Sequence, residues 1–255
     1  MGANYTVVES SARDFPGTGR TLIGEAELNR LAVDLGRRCI GDLGDPDLGE
    51  AIATSRTSWV RRVESSLGPF FVKTYVYPTT WERLRAAARW TGPWRPSRAL
   101  REARALAWLD RTGFTVPSVL GVHETRSLGL LTRAILVTSA WPGDRVDRWL
   151  EAATPTERLE IAAALGQLVG RLHHLGFRDG NLDLRNLLGR RAGSTIALAK
   201  IDSPRFRLRP PGRTDDRLTR ADWRRLTPQI ERFGIAAEVV AAARQTIAAR
   251  ERRPN

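Results

Sequence analysis

The sequence predicts an α+β chain of two lobes, a β-rich N-lobe with one main helix followed by a mostly helical C-lobe. Three observations predict it. Apolar and β-branched runs stand at 59–64, 70–77, 116–123 and 134–140, with one helical stretch between the second and third. The break Trp141-Pro142-Gly143-Asp144 then ends the strand series. A strongly capped helix follows from Thr154, and a polar loop follows the helix. The expected boundaries are an N-terminal extension over 1–50, an N-lobe over 51–141 and a C-lobe over 142–255.

Within the extension a strand is expected at 5–9, a helix at 25–38 and a Gly/Asp-rich passage at 41–49. Pro16-Gly17-Thr18-Gly19-Arg20-Thr21 superficially resembles a phosphate loop, but it lacks the lysine and the glycine spacing that would grip phosphate, so it reads as a turn. The runs 59–64 and 70–77 flank Ser65-Ser66-Leu67-Gly68-Pro69 and read as a hairpin. In its second strand a period of two puts Phe71, Lys73 and Tyr75 on one face. A lysine there is either functional or a charge placed on an edge strand against aggregation. Segment 78–96 interleaves Trp81, Trp90 and Trp94 with Arg83, Arg85, Arg89 and Arg95. That composition suits a membrane interface or a bound polyanion, and equally a helix whose tryptophans dock on the protein. Ser97 is the expected N-cap of a helix to about 112, on which Glu102, Leu106 and Leu109 share a stripe. A carboxylate on an apolar stripe needs a cation.

In the C-lobe, Thr154, Pro155 and Glu157 supply the hydroxyl cap, the N1 proline and the N3 glutamate of a capping box. Leu159, Ala162, Leu165, Leu168, Val169 and Leu172 line one face until Gly176 ends the helix. His173 and His174 close it, where the dipole favours cations, and read as structural. Phe177-Arg178-Asp179-Gly180-Asn181-Leu182-Asp183-Leu184-Arg185-Asn186-Leu187-Leu188 is a polar loop with apolar punctuation. A turn at 189–193 leads to a strand at 195–201 that ends at Asp202.

Composition narrows the function classes. Hydrophobic residues make up 42% and charged residues 27%, which excludes a disordered or fibrous chain. Cys39 is the single cysteine, so no disulfide framework or cysteine-built zinc site exists, and a cytoplasmic setting is expected. No apolar stretch approaches the roughly 20 residues that span a bilayer, and residues 1–15 lack a signal pattern, so the chain is expected to be neither secreted nor integral. Met1-Gly2-Ala3-Asn4-Tyr5-Thr6 fits a myristoylation pattern short enough to arise by chance. The net charge of +13 calls for an anionic partner: nucleic acid, an acidic lipid surface or a phosphorylated small molecule. Lys73 and Lys200 are the only lysines; every other basic side chain is arginine. An ammonium and a guanidinium differ wherever a compact point charge is needed.

The order along the chain is strand lysine, helix glutamate, apolar strands, break, long helix, loop ending in Asn186, hairpin, and Asp202. This is the order of a kinase-like phosphotransferase. Phosphoryl transfer needs an ammonium on the α- and β-phosphates, a carboxylate to fix it, and oxygen ligands for Mg²⁺. Lys73 and Glu102 supply the first two, and Asn186 and Asp202 supply hard oxygen donors suited to magnesium.

On these residues the chain resembles the lipopolysaccharide kinases, the heptose and Kdo kinases that look like small relatives of protein kinases. Phe71-Val72-Lys73 resembles their lysine strand, Leu100-Arg101-Glu102-Ala103 their glutamate helix, Asn181 to Leu188 their catalytic loop and Ile201-Asp202 their metal strand. The basic insert at 78–96 is similar to theirs as well, and the likeness runs from Trp59 to Phe233. The resemblance implies a bilobal protein-kinase-like fold in which a cleft gathers these residues around ATP and Mg²⁺. It implies phosphorylation of a hydroxyl on an anionic saccharide or lipid-linked sugar, at the cytoplasmic face of an anionic membrane. Lys73 and Glu102 would hold the nucleotide, and Asn186 and Asp202 the metal. Two departures stand out. The position five residues before Asn186, normally the aspartate base, is Asn181, and the nucleotide-covering turn has the single glycine Gly68. Asn181 can orient a hydroxyl but not accept its proton, which leaves Asp183, then Asp179, as substitute bases. The alternative is a catalytically impaired kinase fold that binds nucleotide or a partner protein. A nucleic-acid binder ranks last, because the charge comes with no reading motif.

Overall fold

A computed structural model describes residues 8–10, 18–88 and 96–252 of the chain. The strand expected at 5–9 lies partly outside them, and the Met1 to Thr6 pattern and Arg89, Trp90, Trp94 and Arg95 lie wholly outside. The chain divides into two units, one of residues 1–107 and 117–140, the other of residues 108–116 and 141–255.

The first unit is built on a seven-stranded antiparallel sheet. Its strands are β1 (Val8–Ser10), β2 (Thr18–Ile23), β3 (Glu50–Ser55), β4 (Ser58–Val63), β5 (Phe70–Val76), β6 (Val119–Ser127) and β7 (Leu130–Ser139), in the order β1-β2-β6-β7-β5-β4-β3. The hairpin expected between 59 and 77 forms as β4 and β5, with Trp59 opposite Thr74 and Val60 opposite Lys73. Residues 18–21, expected in a turn, are strand instead: Thr18 pairs with Arg126 and Thr21 with His123. That neighbour is about a hundred residues distant and invisible to local pattern. Segment 1–50, expected as an extension, thus contributes β2 and α1 (Glu25–Asp34) to the unit. Leu28 and Leu31 of α1 join Leu43, Phe70, Val72, Ile135 and Val137 in one core cluster. A second cluster gathers Tyr75, Ala99, Ala103, Val122 and Leu136. Each buried Leu, Ile, Val or Phe among them contributes about 1.5–3 kcal/mol of transfer free energy.

Helix α2 (Thr80–Ala86) carries the start of the basic insert behind a Thr79/Glu82 capping box, and its Trp81 is 71% exposed. Helix α3 (Arg98–Arg111) starts as expected at Ser97, whose hydroxyl oxygen accepts the Leu100 N–H.

The second unit holds α4 (Val146–Ala152), α5 (Pro155–His174), α6 (Arg217–Arg232) and α7 (Ala236–Glu251). Alongside are short strands: β8 (Asp144–Arg145), β9 (Phe177–Arg178), β10 (Leu187–Ala192), β11 (Thr195–Lys200) and β12 (Arg207–Leu208). Thr154 and Glu157 form the expected capping box of α5, with Pro155 at its start. Ala162, Leu165, Val169 and Leu172 are buried as the periodicity requires, whereas Leu159 is 51% exposed. Leu159 sits in the first turns of the helix, ahead of the stretch that packs on α7. There Gly166 and Gly170 permit close approach: a Cβ at either would come within 2.6 Å of the Val239 or Ala243 carbonyl oxygen.

Candidate active site

In the first unit, β5 lies between β4 and β7, so Lys73 is in the sheet interior and the edge-strand reading of this lysine is excluded. Its Nζ donates to both Glu102 oxygens, at 3.1 and 3.0 Å. Two residues along the same strand face, the Tyr75 hydroxyl donates to Glu102 Oε2 at 3.1 Å. Glu102 is buried on α3, on the stripe it shares with Leu106 and Leu109. The apolar stripe of the helix thus forces the carboxylate inward, and β5 supplies its cation and a hydroxyl. Arg98 places its guanidinium 5.0 Å from the Tyr75 ring centroid and so confines the ring from the helix side.

In the second unit the loop after α5 is fixed from beneath. Asp222, buried on α6, accepts the N–H groups of Asp179 at 3.0 Å and Gly180 at 2.8 Å, and its Oδ2 lies 3.3 Å from His173 Nε2. Gly180 has φ 63°, a conformation glycine adopts without strain. Arg178 is buried and donates to the His173 and Arg213 carbonyls and to the Asp216 carboxylate. Asn186 Nδ2 donates to the Asn181 carbonyl at 3.0 Å. Asn181 Nδ2 in turn donates to Asp202 Oδ2 at 2.8 Å and to the Asp202 carbonyl at 3.3 Å. Strands β10 and β11 pair with Leu187 opposite Lys200, so the sixteen-residue separation of Asn186 and Asp202 closes into two neighbouring strand ends. Asp202 has φ 56°, a left-handed conformation that costs a non-glycine residue about 1–3 kcal/mol and persists only where neighbours enforce it.

Asn181, Asn186 and Asp202 therefore form one hydrogen-bonded group in the second unit, and Lys73 and Glu102 one ion pair in the first. The substitute bases are placed otherwise. Asp183 caps a 3₁₀ turn (Leu184–Asn186) and is held by Arg185 at 2.9 Å and Arg225 at 3.2 Å. Burial alone would raise its carboxyl. Hydrogen bonds from Arg185 and the charges of Arg185 and Arg225 overcome that and hold it below the ordinary carboxylate value, which weakens it as a base. Asp179 is 1% exposed and lies 3.2 Å from Lys200 Nζ, out of reach of an acceptor in solvent. Burial pushes its carboxyl up, and the Lys200 charge partly reverses this.

Asn186 and Asp202 offer an amide and a carboxylate oxygen, the hard donors Mg²⁺ takes alongside phosphate and water. The Asn186 amide nitrogen is committed to the Asn181 carbonyl, which leaves its Oδ1 as the ligating atom. Among the described residues no cluster of three or more His, Cys, Asp or Glu side chains is arranged to hold a metal. The donor set thus fits a magnesium shared with a substrate phosphate rather than a closed protein cage. Sequence reading missed Tyr75 as a partner of Glu102, and it missed Asp222, an acid in an arginine-rich helix whose role depends on a loop some forty residues earlier.

The chain is 32% identical over 94 residues to the KEOPS complex subunit Bud32 of Pyrococcus abyssi (strain GE5 / Orsay), 37% of this chain. It spans about two-fifths of the length of that curated relative, 40%. A solved structure described as WaaP in complex with acyl carrier protein matches over 84% of this chain and 95% of its own, at 18% identity and TM-score 0.47. A sheet-based unit that carries α1 and α2 as well as α3, and a second unit rich in helix, are of the expected bilobal protein-kinase-like class, with more helix in the first unit than the one expected. The family model of the lipopolysaccharide kinases (Kdo/WaaP) matches residues 52–244, well over half of the sequence and every residue of both groups above, so the chain belongs to the lipopolysaccharide kinase (Kdo/WaaP) family.

Proposed function

We propose that this protein is an ATP-dependent kinase that phosphorylates a hydroxyl of an anionic saccharide or lipid-linked sugar. The observation that carries the reading is the Lys73–Glu102 pair: one of only two lysines in an arginine-rich chain, fixed through two bonds of 3.0–3.1 Å to a buried helix carboxylate. Lys73 binds the α- and β-phosphates, and Glu102, steadied by Tyr75, holds the ammonium in place for them. Asn186 and Asp202 hold Mg²⁺, which when bound neutralises charge on the phosphates.

Asn181 addresses the acceptor. Its nitrogen is committed to Asp202, so its Oδ1 accepts a hydrogen bond from the sugar hydroxyl and aims that oxygen. A positioned base contributes typically about 10²–10⁴-fold, and phosphoryl transfer through a loose transition state rests mainly on positioning and electrostatics, so an orienting amide supports slower transfer. Asp183 holds the loop to α6 through Arg225 and serves as a positioning residue. The +13 charge favours a phosphorylated or acidic acceptor, and the exposed Trp81 beside Arg83 and Arg85 favours an anionic membrane surface at the cytoplasmic face.

Titration calorimetry with ATP and Mg²⁺ tests the reading. Lys73→Ala is expected to weaken ATP–Mg²⁺ binding at least about tenfold, equivalent to about 1.4 kcal/mol. Unchanged affinity in a folded variant would remove the role given to Lys73.

A further inference from the structure

The second lysine is more deeply placed than the first. Lys200 ends β11 with no exposed surface. Its Nζ donates to the Ile201 carbonyl at 2.5 Å and to the Asn186 and Asp202 carbonyls at 3.5 Å each. Asp179 Oδ2 lies 3.2 Å from it, and the two side chains are 0% and 2% exposed. One ammonium thus collects backbone oxygens from both strand ends that carry the candidate magnesium ligands. Asp202, one of those ligands, has the left-handed backbone that its surroundings must enforce. The Ile201 N–H donates to the Asn186 carbonyl at 3.0 Å, so the two chains are already tied, and the ammonium binds the tie on its carbonyl side. A guanidinium is planar and forked and serves this duty poorly. Three carbonyls and a carboxylate around one point suit a compact ammonium, in a chain that uses arginine nearly everywhere else.

We propose that Lys200 is a positioning residue: its buried ammonium, neutralised by Asp179, fixes the main chain of Asn186 and Asp202 so that their side-chain oxygens stand ready for one divalent cation. This rests on the kinase reading, in which those two residues hold Mg²⁺. Asp179, considered above as a base, has here the separate duty of counter-charge.

A buried pair can often be replaced by neutral groups at little cost, whereas removing one partner strands a charge. The test therefore uses the double variant Lys200→Met/Asp179→Asn in the full chain, with Asp179→Asn alone beside it. Thermal melting and the magnesium dependence of ATP binding are measured on each. The double variant is expected to lose magnesium affinity about tenfold or more, the usual effect of removing a group that orients metal ligands. Asp179→Asn keeps the ammonium on its three carbonyls, so it is expected to melt lower yet hold magnesium close to the wild-type affinity. A double variant that keeps wild-type magnesium affinity overturns the positioning role. Should the double variant not fold, Asp179→Asn decides alone, and a large loss of magnesium affinity in it overturns the role. Wild-type protein that binds no ATP–Mg²⁺ overturns the kinase reading itself, a result distinct from either.

Discussion

The Lys73–Glu102 pair permits a quantitative prediction by a double-mutant cycle of Lys73→Met, Glu102→Gln and the two combined. The side chains are 19% and 6% exposed and joined by two charge-assisted bonds. Breaking a fully buried pair costs about 3–5 kcal/mol, and the partial exposure of Lys73 discounts this to about 2–3 kcal/mol for each single change. The Tyr75 hydroxyl stays on Glu102 after Lys73→Met and limits the loss on that side. The combined variant removes both charges, so its cost should resemble that of either single change, giving a coupling energy of about 2–3 kcal/mol. Urea unfolding of the nucleotide-free chain, followed by tryptophan fluorescence, measures it, and Trp59, whose Nε1 donates to the Gly44 carbonyl, reports on the same unit. Since salt screens buried pairs weakly, the coupling should survive 1 M NaCl, where the screening length is about 3 Å. A coupling below about 0.5 kcal/mol, the value of exposed pairs, would refute the inference that α3 and β5 hold this ammonium out of bulk water.

Two further outcomes are expected. Asn181→Asp sets a carboxylate where an amide now donates to Asp202 at 2.8 Å, exchanging a hydrogen bond for like-charge repulsion. The metal-free variant should melt below wild type and gain more from added Mg²⁺, and thermal melts that show the same magnesium response in both would contradict the placement of Asp202. His123, buried with Nδ1 3.0 Å from the Thr21 hydroxyl, has its pKa lowered from 6.5 to about 4, by burial first and the Arg133 charge second. A depressed histidine stays neutral in the folded state while the unfolded chain protonates. Its contribution is therefore whole above pH 6.5, falls as pH drops towards about 4, and is lost below, about 3 kcal/mol in all. Urea unfolding at several pH values should show a shallower acid loss in His123→Gln, and an unaltered slope would refute the assignment.

What the residues announced by themselves was local. The Thr154 capping box, the Ser97 cap, the β4–β5 hairpin and the Glu102 stripe each depend on neighbours within a few positions, where hydrogen-bond reach and periodicity are fixed by the backbone. Beyond that local reach, only the order of Lys73, Glu102, Asn186 and Asp202 along the chain points to a phosphotransferase. Tertiary structure decided whatever depends on distant partners. It made strand of residues 18–21 through β6 and an edge strand of the wholly exposed β3. It turned Asp183 from a candidate base into an arginine-held cap, and it gave Asp222 a loop to carry. A carboxylate's chemistry is set by the charges and burial around it. For Asp183 the Arg185 guanidinium two positions on lies within local reach, but Arg225, 42 positions away, and the burial come from the fold, where sequence periodicity has no say.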